Sequence, residues 1–279
     1  MPLSRFVQAK AGELRRLEQM AGSMQPLQEV RPSFSGALEA GRNRDGIAVI
    51  AEYKRRSPSA GVLCEALAPD EVARQYAVAG ASCMSVLTEE QYFGGSLGDL
   101  SQASEGVQAA AKGGHVLPIL RKDFLFHPLQ VLATACTRAS ALLLIVRQTP
   151  ESGLLRSLRE QAESFGLDAV VEVFDENDLR LARESGARII QVNARDLKTF
   201  KVDRNACLEL VRHNPPLAGE IWIAASGMDR AEHVLSARES GFSAALIGSA
   251  LMRGGHPGEK LAELLGGIRK PGGEAKSCC

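Results

Sequence analysis

Short apolar runs alternate along the chain with longer segments in which apolar residues recur every three or four positions. The short runs predict eight β-strands: Ile47–Tyr53, Cys83–Leu87, Val116–Leu120, Ala141–Val146, Ala169–Val173, Ile189–Asn193, Ile221–Ala225 and Ala244–Gly248. They are mostly continuous rather than alternating, which indicates a parallel sheet that is covered on both faces.

The longer segments predict helices between these strands: Asp70–Ala79, Pro128–Thr137, Pro150–Ser164, Asp175–Ser185, Asp203–His213 and Asp229–Ser240. Several begin at Asp or with an early Pro, and several end at Gly, as helices do. Eight strand–helix units without a break in composition favour one closed (β/α)8 TIM barrel. A doubly wound open sheet is the alternative, and it is disfavoured because no G-x-G-x-x-G follows the first strand.

The pattern also divides the chain. Residues 1–46 form an N-terminal helical extension, in which Leu3–Met20 is an amphipathic helix that packs on the barrel or covers one mouth. Residues 47–268 form the barrel. Residues 269–279 are polar and Gly-rich and are expected to be a loose tail, and the sequence leaves the role of Cys278 and Cys279 open.

Charge and composition narrow the function classes. Lys plus Arg number 33 and Asp plus Glu number 33, so no net charge attracts the chain to nucleic acid or to a membrane surface. No apolar run is long enough to span a bilayer. The six cysteines lack metal-site spacing, which is typical of reduced thiols. We therefore expect a cytoplasmic protein, a monomer or weak homodimer, that acts on a small molecule.

Charged residues at the strand ends are the candidate chemistry. The first strand ends in Glu52 and Lys54, the third leads into Lys122, and the fifth contains Glu172. The active sites of β/α barrels lie at these carboxyl ends. Any one of these residues, taken alone, could belong to a structural ion pair. Two acids and two lysines at one mouth favour a site with a general acid, a general base and anion anchors.

The ends of the last two strands predict a phosphate site. The seventh predicted strand runs into Ser226-Gly227, and the eighth runs into Gly248-Ser249. Barrels bind phosphate at this place through backbone N–H groups, and glycine allows a close approach. Ordinary turns use the same residue types. The phosphate-site prediction therefore depends on these Ser and Gly residues lying at the same end of the barrel as the other strand ends.

At these residues the chain resembles the indole-3-glycerol phosphate synthases. The first strand carries the family pattern E-x-K-x-x-S-P-S-x-G, which includes Ser57, and the resemblance covers about residues 32–266. The segments that carry it are Ile50–Gly61, Leu87–Ser96, Leu120–Phe124, Val171–Val173, Val192–Phe200 and Ile247–Met252.

The resemblance implies ring closure of 1-(2-carboxyphenylamino)-1-deoxyribulose 5-phosphate, with loss of carbon dioxide and water and without a metal or organic cofactor. It makes Lys122 the general acid and Glu172 the acid/base of the dehydration. It also implies that Lys54 holds the substrate carboxylate and that Glu52 supports proton transfer. The remaining implied positions bind the sugar chain, the aromatic ring or the phosphate: Asn193, Arg195, Ser57, Phe93, Phe124, Leu144, Ser226, Gly227, Gly248 and Ser249.

Two residues depart from the family pattern. Ala225 stands where the family typically has a strand-end glutamate, and Gln191 stands where it usually has glycine. The two changes could compensate for one another in volume and hydrogen bonding. They could instead mark a paralogue that acts on a modified anthranilate-derived substrate. A barrel that binds a phosphorylated ligand without turnover is the third reading, and the retained acids and lysines disfavour it.

Overall fold

Eight parallel strands close into a barrel in the computed structural model of the chain, which describes residues 4–59, 61–64, 66–111, 116–196 and 199–269. Each strand pairs with the strands before and after it in sequence, and the last pairs with the first. The predicted fold class is confirmed. The barrel strands are β1 Ala48–Tyr53, β2 Cys83–Leu87, β3 Ile119–Leu125, β4 Ala141–Ile145, β5 Asp168–Val173, β6 Ile189–Asn193, β7 Ile221–Ala225 and β8 Ala244–Ile247.

The third strand is displaced from its predicted position. The sequence indicates Val116–Leu120, whereas β3 spans Ile119–Leu125. A prediction from hydropathy places the end of this strand too early, because Arg121 and Asp123 are charged. Both are buried within β3, where the Arg121 guanidinium lies 3.1 Å from the Asp123 carboxylate. Lys122 and Phe124 therefore lie inside the strand and point into the barrel.

Helices form the outer layer and the N-terminal extension. In chain order they are α1 Ser4–Ala9, α2 Ala11–Met20, α3 Phe34–Asp45, α4 Pro69–Ala79, α5 Leu97–Ala110, α6 Pro128–Ala135, α7 Ser152–Ser164, α8 Glu176–Ser185, α9 Arg204–His213, α10 Ala231–Glu239, α11 Ser249–Met252 and α12 Pro257–Ile268. None of the helices in the described parts of the chain is both long and apolar enough to cross a bilayer.

The N-terminal extension packs against the barrel at both ends. The predicted single helix is two helices, α1 and α2, which are separated by Lys10. The Lys10 ammonium is buried 2.5 Å from the Asp123 carboxylate, which anchors this arm on β3. At the other end, Phe34 and Leu38 of α3 pack into the barrel interior. The predicted tail lies outside the described residues from position 270 onward, and so do Cys278 and Cys279.

Candidate active site

A cavity of about 460 Å³ opens at the carboxyl ends of the strands. Its wall contains all but one of the site residues that the sequence predicts, so residues that lie on β1, β3, β5 and β6 meet residues that follow β7 and β8. The predicted residues that line it are Glu52, Lys54, Ser57, Phe93, Lys122, Phe124, Glu172, Asn193, Arg195, Ser226, Gly227, Gly248 and Ser249.

Leu144 is the exception, and the structure corrects its predicted position. Its side chain packs in the apolar cluster between the strands and the outer helices. Its neighbours Leu143 and Ile145 line the cavity instead. Successive strand residues point to opposite faces, so the predicted residue is off by one position. The run Ala141–Ile145 is entirely apolar, and no alternation in the sequence shows which residues face inward.

Glu52 forms an ion cluster with two lysines. Its carboxylate accepts hydrogen bonds from the Lys54 ammonium at 2.5 Å and from the Lys122 ammonium at 3.0 Å. Burial alone would raise the pKa of Glu52, but the charges and hydrogen bonds of the two lysines outweigh it and lower that pKa to about 2. Burial lowers the pKa of Lys54, and Glu52 opposes that effect. This lysine–carboxylate cluster therefore holds Lys122 at a defined place in the cavity wall.

Gly248 makes room for the cluster. A Cβ atom at this position would lie 2.1 Å from Oε1 of Glu52, closer than any real contact. The Tyr76 hydroxyl supports Glu52 from the helical layer by donating a 3.1 Å hydrogen bond to its backbone carbonyl. Glycine is thus required here by the side chain on the neighbouring strand, in addition to the phosphate role predicted from the sequence.

Glu172 is a second buried carboxyl group, and it is held by amides. Gln191 donates a hydrogen bond to it from the adjacent strand β6, and Asn193 on the same face of β6 also hydrogen-bonds to it. Burial raises the pKa of Glu172, and the Lys122 charge and the two amides oppose this only in part. A buried carboxyl group with a raised pKa in a cleft is a candidate general acid or base.

Asn193 connects this centre to the phosphate side of the cavity. Its Oδ1 accepts a 2.7 Å hydrogen bond from the Ser226 hydroxyl and a 3.0 Å hydrogen bond from the backbone N–H of Arg195. Ser226 has a φ of +69°, which is uncommon for a residue other than glycine, and Gly227 follows with +74°. A Cβ atom at Gly227 would lie 2.7 Å from the Val202 side chain. This turn is therefore fixed in one conformation beside the cavity.

Aromatic side chains form the opposite wall. Phe6 of α1 stacks on Phe124 with ring centroids 4.0 Å apart, and the Phe93 ring lies 6.3 Å from that of Phe124. The buried Glu89 carboxylate accepts hydrogen bonds from the backbone N–H groups of Tyr92 and Phe93, which fixes this loop. The wall can hold a flat aromatic ring by stacking and edge contacts.

The sequence interpretation missed several residues of the cavity wall. Phe6 belongs to the extension that we expected to cover one mouth, but no local pattern identified this ring. Arg204 and Arg253 also line the cavity, and they bring positive charge to the side of Ser226 and Gly248. The one available signal was position, since Arg204 begins a helix after strand 6 and Arg253 follows the short helix after strand 8.

Comparisons with known proteins point to one family. The sequence model of one protein family, described as indole-3-glycerol phosphate synthase, matches residues 3–264. A protein of Aquifex aeolicus with the same name is 41% identical over 221 residues, which are 79% of this chain and 82% of that protein. A Bordetella pertussis protein with that name is 37% identical over 268 residues, which are 94% of this chain and 98% of that one.

Solved structures support the fold alone. Thiamine phosphate pyrophosphorylase from Pyrococcus furiosus superposes with a TM-score of 0.57 at 14% identity, over 81% of this chain and 97% of that one. A designed cube-shaped protein cage superposes with a TM-score of 0.51 at 18% identity, over 80% of this chain and 70% of the cage chain. Similarity at this level of identity concerns the barrel and carries no statement about chemistry.

Proposed function

The chain belongs to the indole-3-glycerol phosphate synthase family, and from this premise we propose that it converts 1-(2-carboxyphenylamino)-1-deoxyribulose 5-phosphate to indole-3-glycerol phosphate. The observation that carries the proposal is the meeting of Lys122, Glu52 and Glu172 in one cavity, with aromatic rings on one side and the turns after β7 and β8 on the other. Nothing in the comparisons favours a modified anthranilate substrate or a barrel without turnover.

The first step forms the carbon–carbon bond of the new ring. The aromatic carbon that carries the carboxylate attacks the ketone carbon, and the carbonyl electron pair takes a proton from the Lys122 ammonium. Carbon dioxide then leaves, and the electrons of the broken bond restore the aromatic ring. Glu52 orients Lys122 through its 3.0 Å hydrogen bond, so the general acid is in place before the substrate arrives.

The second step removes the hydroxyl group as water. One proton must reach the leaving oxygen, and another must leave a carbon of the newly formed ring. Glu172 is assigned to this exchange because burial raises the pKa of its carboxyl group. Lys54 is the proposed anchor of the substrate carboxylate, since its ammonium lies at the cavity wall beside Glu52.

The two ends of the substrate are assigned to opposite walls. The aromatic ring is proposed to lie against Phe6, Phe93 and Phe124, with Leu143 and Ile145 beneath it. The proposed phosphate contacts are Ser226, Gly227, Gly248 and Ser249, with Arg204 and Arg253 nearby, while Ser57, Asn193 and Arg195 face the sugar chain. Binding energy from the phosphate can then position a flexible chain for ring closure.

The proposal assigns the catalytic activity to the barrel of residues 47–268 and treats residues 1–46 as an extension that contributes Phe6. It also assigns the enzyme to the cytoplasm. This agrees with the described cysteines Cys64, Cys83, Cys136 and Cys207, which are all free thiols, as expected in a reducing compartment.

The test follows indole fluorescence after the purified protein is mixed with the carboxyphenylamino sugar phosphate. We expect product from the wild type and from the surface control Lys260→Ala, and product formation about 10²–10⁴-fold slower from Lys122→Ala. The dephosphorylated substrate should react far more slowly, because it lacks the group that positions it. A wild-type protein that binds the phosphorylated substrate and leaves it unchanged would contradict the proposal.

A further inference from the structure

Gln191 is a fully buried amide one layer below the cavity. It lies on β6 directly opposite Glu172 on β5 in the strand register, and its Nε2 donates a hydrogen bond to Oε2 of Glu172. Its register partner on the other side is the apolar Ile223 of β7. Gln191 does not line the cavity wall, and its hydrogen bond to Glu172 connects it to a residue that does.

The two amides that bind Glu172 differ in their freedom to rotate. The Oδ1 atom of Asn193 accepts hydrogen bonds from the Ser226 hydroxyl and the Arg195 backbone, which fixes its amide with the NH2 group as the donor. The Oε1 atom of Gln191 is buried and has no partner in the described parts of the chain. Among the described residues, the hydrogen bond to Glu172 alone therefore opposes a half-turn of the Gln191 amide, which would present Oε1 to Glu172 instead of Nε2.

A buried carboxyl group needs a different partner in each protonation state. The ionised group accepts hydrogen bonds, whereas the protonated group also has one O–H to donate. The charged groups that face Glu172 are Lys122 on β3 and Glu52 on β1, with Lys54 bound to Glu52. Strand β4 presents the apolar Ile145 opposite it. Of the two amides beside Glu172, the one on Gln191 is free to rotate and so can serve both states.

We propose that Gln191 is a positioning residue that keeps Glu172 hydrogen-bonded in both of its protonation states by turning its amide over as the proton arrives and leaves. The N–H group donates to the carboxylate, and the carbonyl oxygen accepts the O–H of the acid. The catalytic consequence is that Glu172 keeps one geometry while it exchanges its proton. This consequence rests on the proposed function, whereas the rotation of the amide does not.

The proposal predicts how Glu172 titrates in variants. Hydrogen bonds to a charged group are about twice as strong as neutral ones, so Gln191 favours the carboxylate on balance. Gln191→Met has a similar length and no hydrogen-bonding group, so the pKa of Glu172 should rise by about one pH unit. Gln191→Glu should raise it further, because two adjacent carboxyl groups compete for one charge. Ile223→Val is the packing control and should titrate as the wild type does.

The measurement is carbon-13 NMR of the protein labelled at its glutamate carboxyl groups, with the Glu172 signal assigned by its loss in Glu172→Gln. The side-chain NH2 signal of Gln191, assigned in the wild type by through-bond correlation to its own backbone, should move as Glu172 titrates and stay fixed in Glu172→Gln. This second signal needs only the wild-type fold and Glu172→Gln, so it decides the matter even if Gln191→Met fails to fold.

Two results would overturn the proposal: a Gln191 amide signal that ignores the titration of Glu172, or an Ile223→Val variant that shifts the pKa of Glu172 as much as Gln191→Met does. The titrations need no turnover. A protein that titrates as expected but leaves the sugar phosphate unchanged would refute the proposed function and keep this inference.

Discussion

Replacing Glu52 by glutamine should destabilise the protein in a pH-dependent way. The Glu52 carboxylate is 2% exposed and lies between two ammonium groups, at 2.5 and 3.0 Å. These groups lower its pKa from 4.5 to about 2, which corresponds to about 3 kcal/mol of stabilisation of the folded state. Glutamine would leave both buried lysines facing a neutral group, so Glu52→Gln should lose about this amount at neutral pH.

The stabilisation by Glu52 should depend on pH in a defined direction. Folding lowers the pKa of Glu52, so its stabilisation is fully present above pH 4.5 and is lost as the pH falls from there toward about 2. The difference in unfolding free energy between wild type and Glu52→Gln should therefore be constant near neutral pH and shrink in acid. Urea denaturation followed by circular dichroism, from about pH 7 to about pH 3, measures both curves.

A matched control separates this effect from the general effect of removing a charge. Glu263 forms a 2.7 Å ion pair with Lys260, but its side chain is 71% exposed. Glu263→Gln should change stability by at most about 1 kcal/mol at every pH, because solvent screens the pair. The reasoning would be refuted if Glu52→Gln were as stable as the wild type at neutral pH, or if the two curves stayed parallel in acid.

Three further predictions follow from the site. Lys122→Ala should lower kcat by about 10²–10⁴-fold with little change in KM, as steady-state kinetics will show, because a general acid acts in the transition state. Gly248→Ala should lower kcat by about 100-fold, because its Cβ atom displaces the lysine–carboxylate cluster, whereas Gly266→Ala, with nothing within 4 Å, should keep wild-type activity. Lys10→Met should cost about 3–5 kcal/mol in urea denaturation, because it breaks a buried ion pair, and Lys260→Met should cost little.

The fold could be predicted from the sequence because each strand of a covered parallel sheet is a continuous apolar run. Seven strands lie within one residue of their predicted ends. The third does not, because the partners that allow Arg121 and Asp123 to be buried come from an N-terminal arm far away in sequence. Hydropathy along a single segment contains no information about such partners.

The candidate site could be predicted where polar residues interrupt apolar strands. Glu52, Lys122 and Glu172 are conspicuous for this reason, and the period of two places them on the inner face. The same argument gives no answer for Leu144, where every neighbour is apolar. Phe6 enters the wall through a tertiary contact of the N-terminal arm, which no local pattern encodes.

The role of Gln191 shows a third limit. The sequence suggested that it compensates for the missing carboxylate at Ala225, and this coupling stays a prediction. In the strand register Ala225 lies opposite Asn193, whereas Gln191 lies opposite Glu172 and donates a hydrogen bond to it. Which neighbour a buried amide binds depends on the register of closed strands, and a sequence pattern alone does not fix that register.

The most direct test of the account is a single-turnover reaction with the sugar phosphate substrate carrying carbon-13 in its aromatic carboxylate. The account predicts one labelled carbon dioxide for each indole formed by the wild-type protein, and neither product from Lys122→Ala within the time of the wild-type turnover. If the wild type consumed the substrate while the label stayed in the aromatic product, ring closure with decarboxylation would be wrong, and Lys122 would not be its general acid.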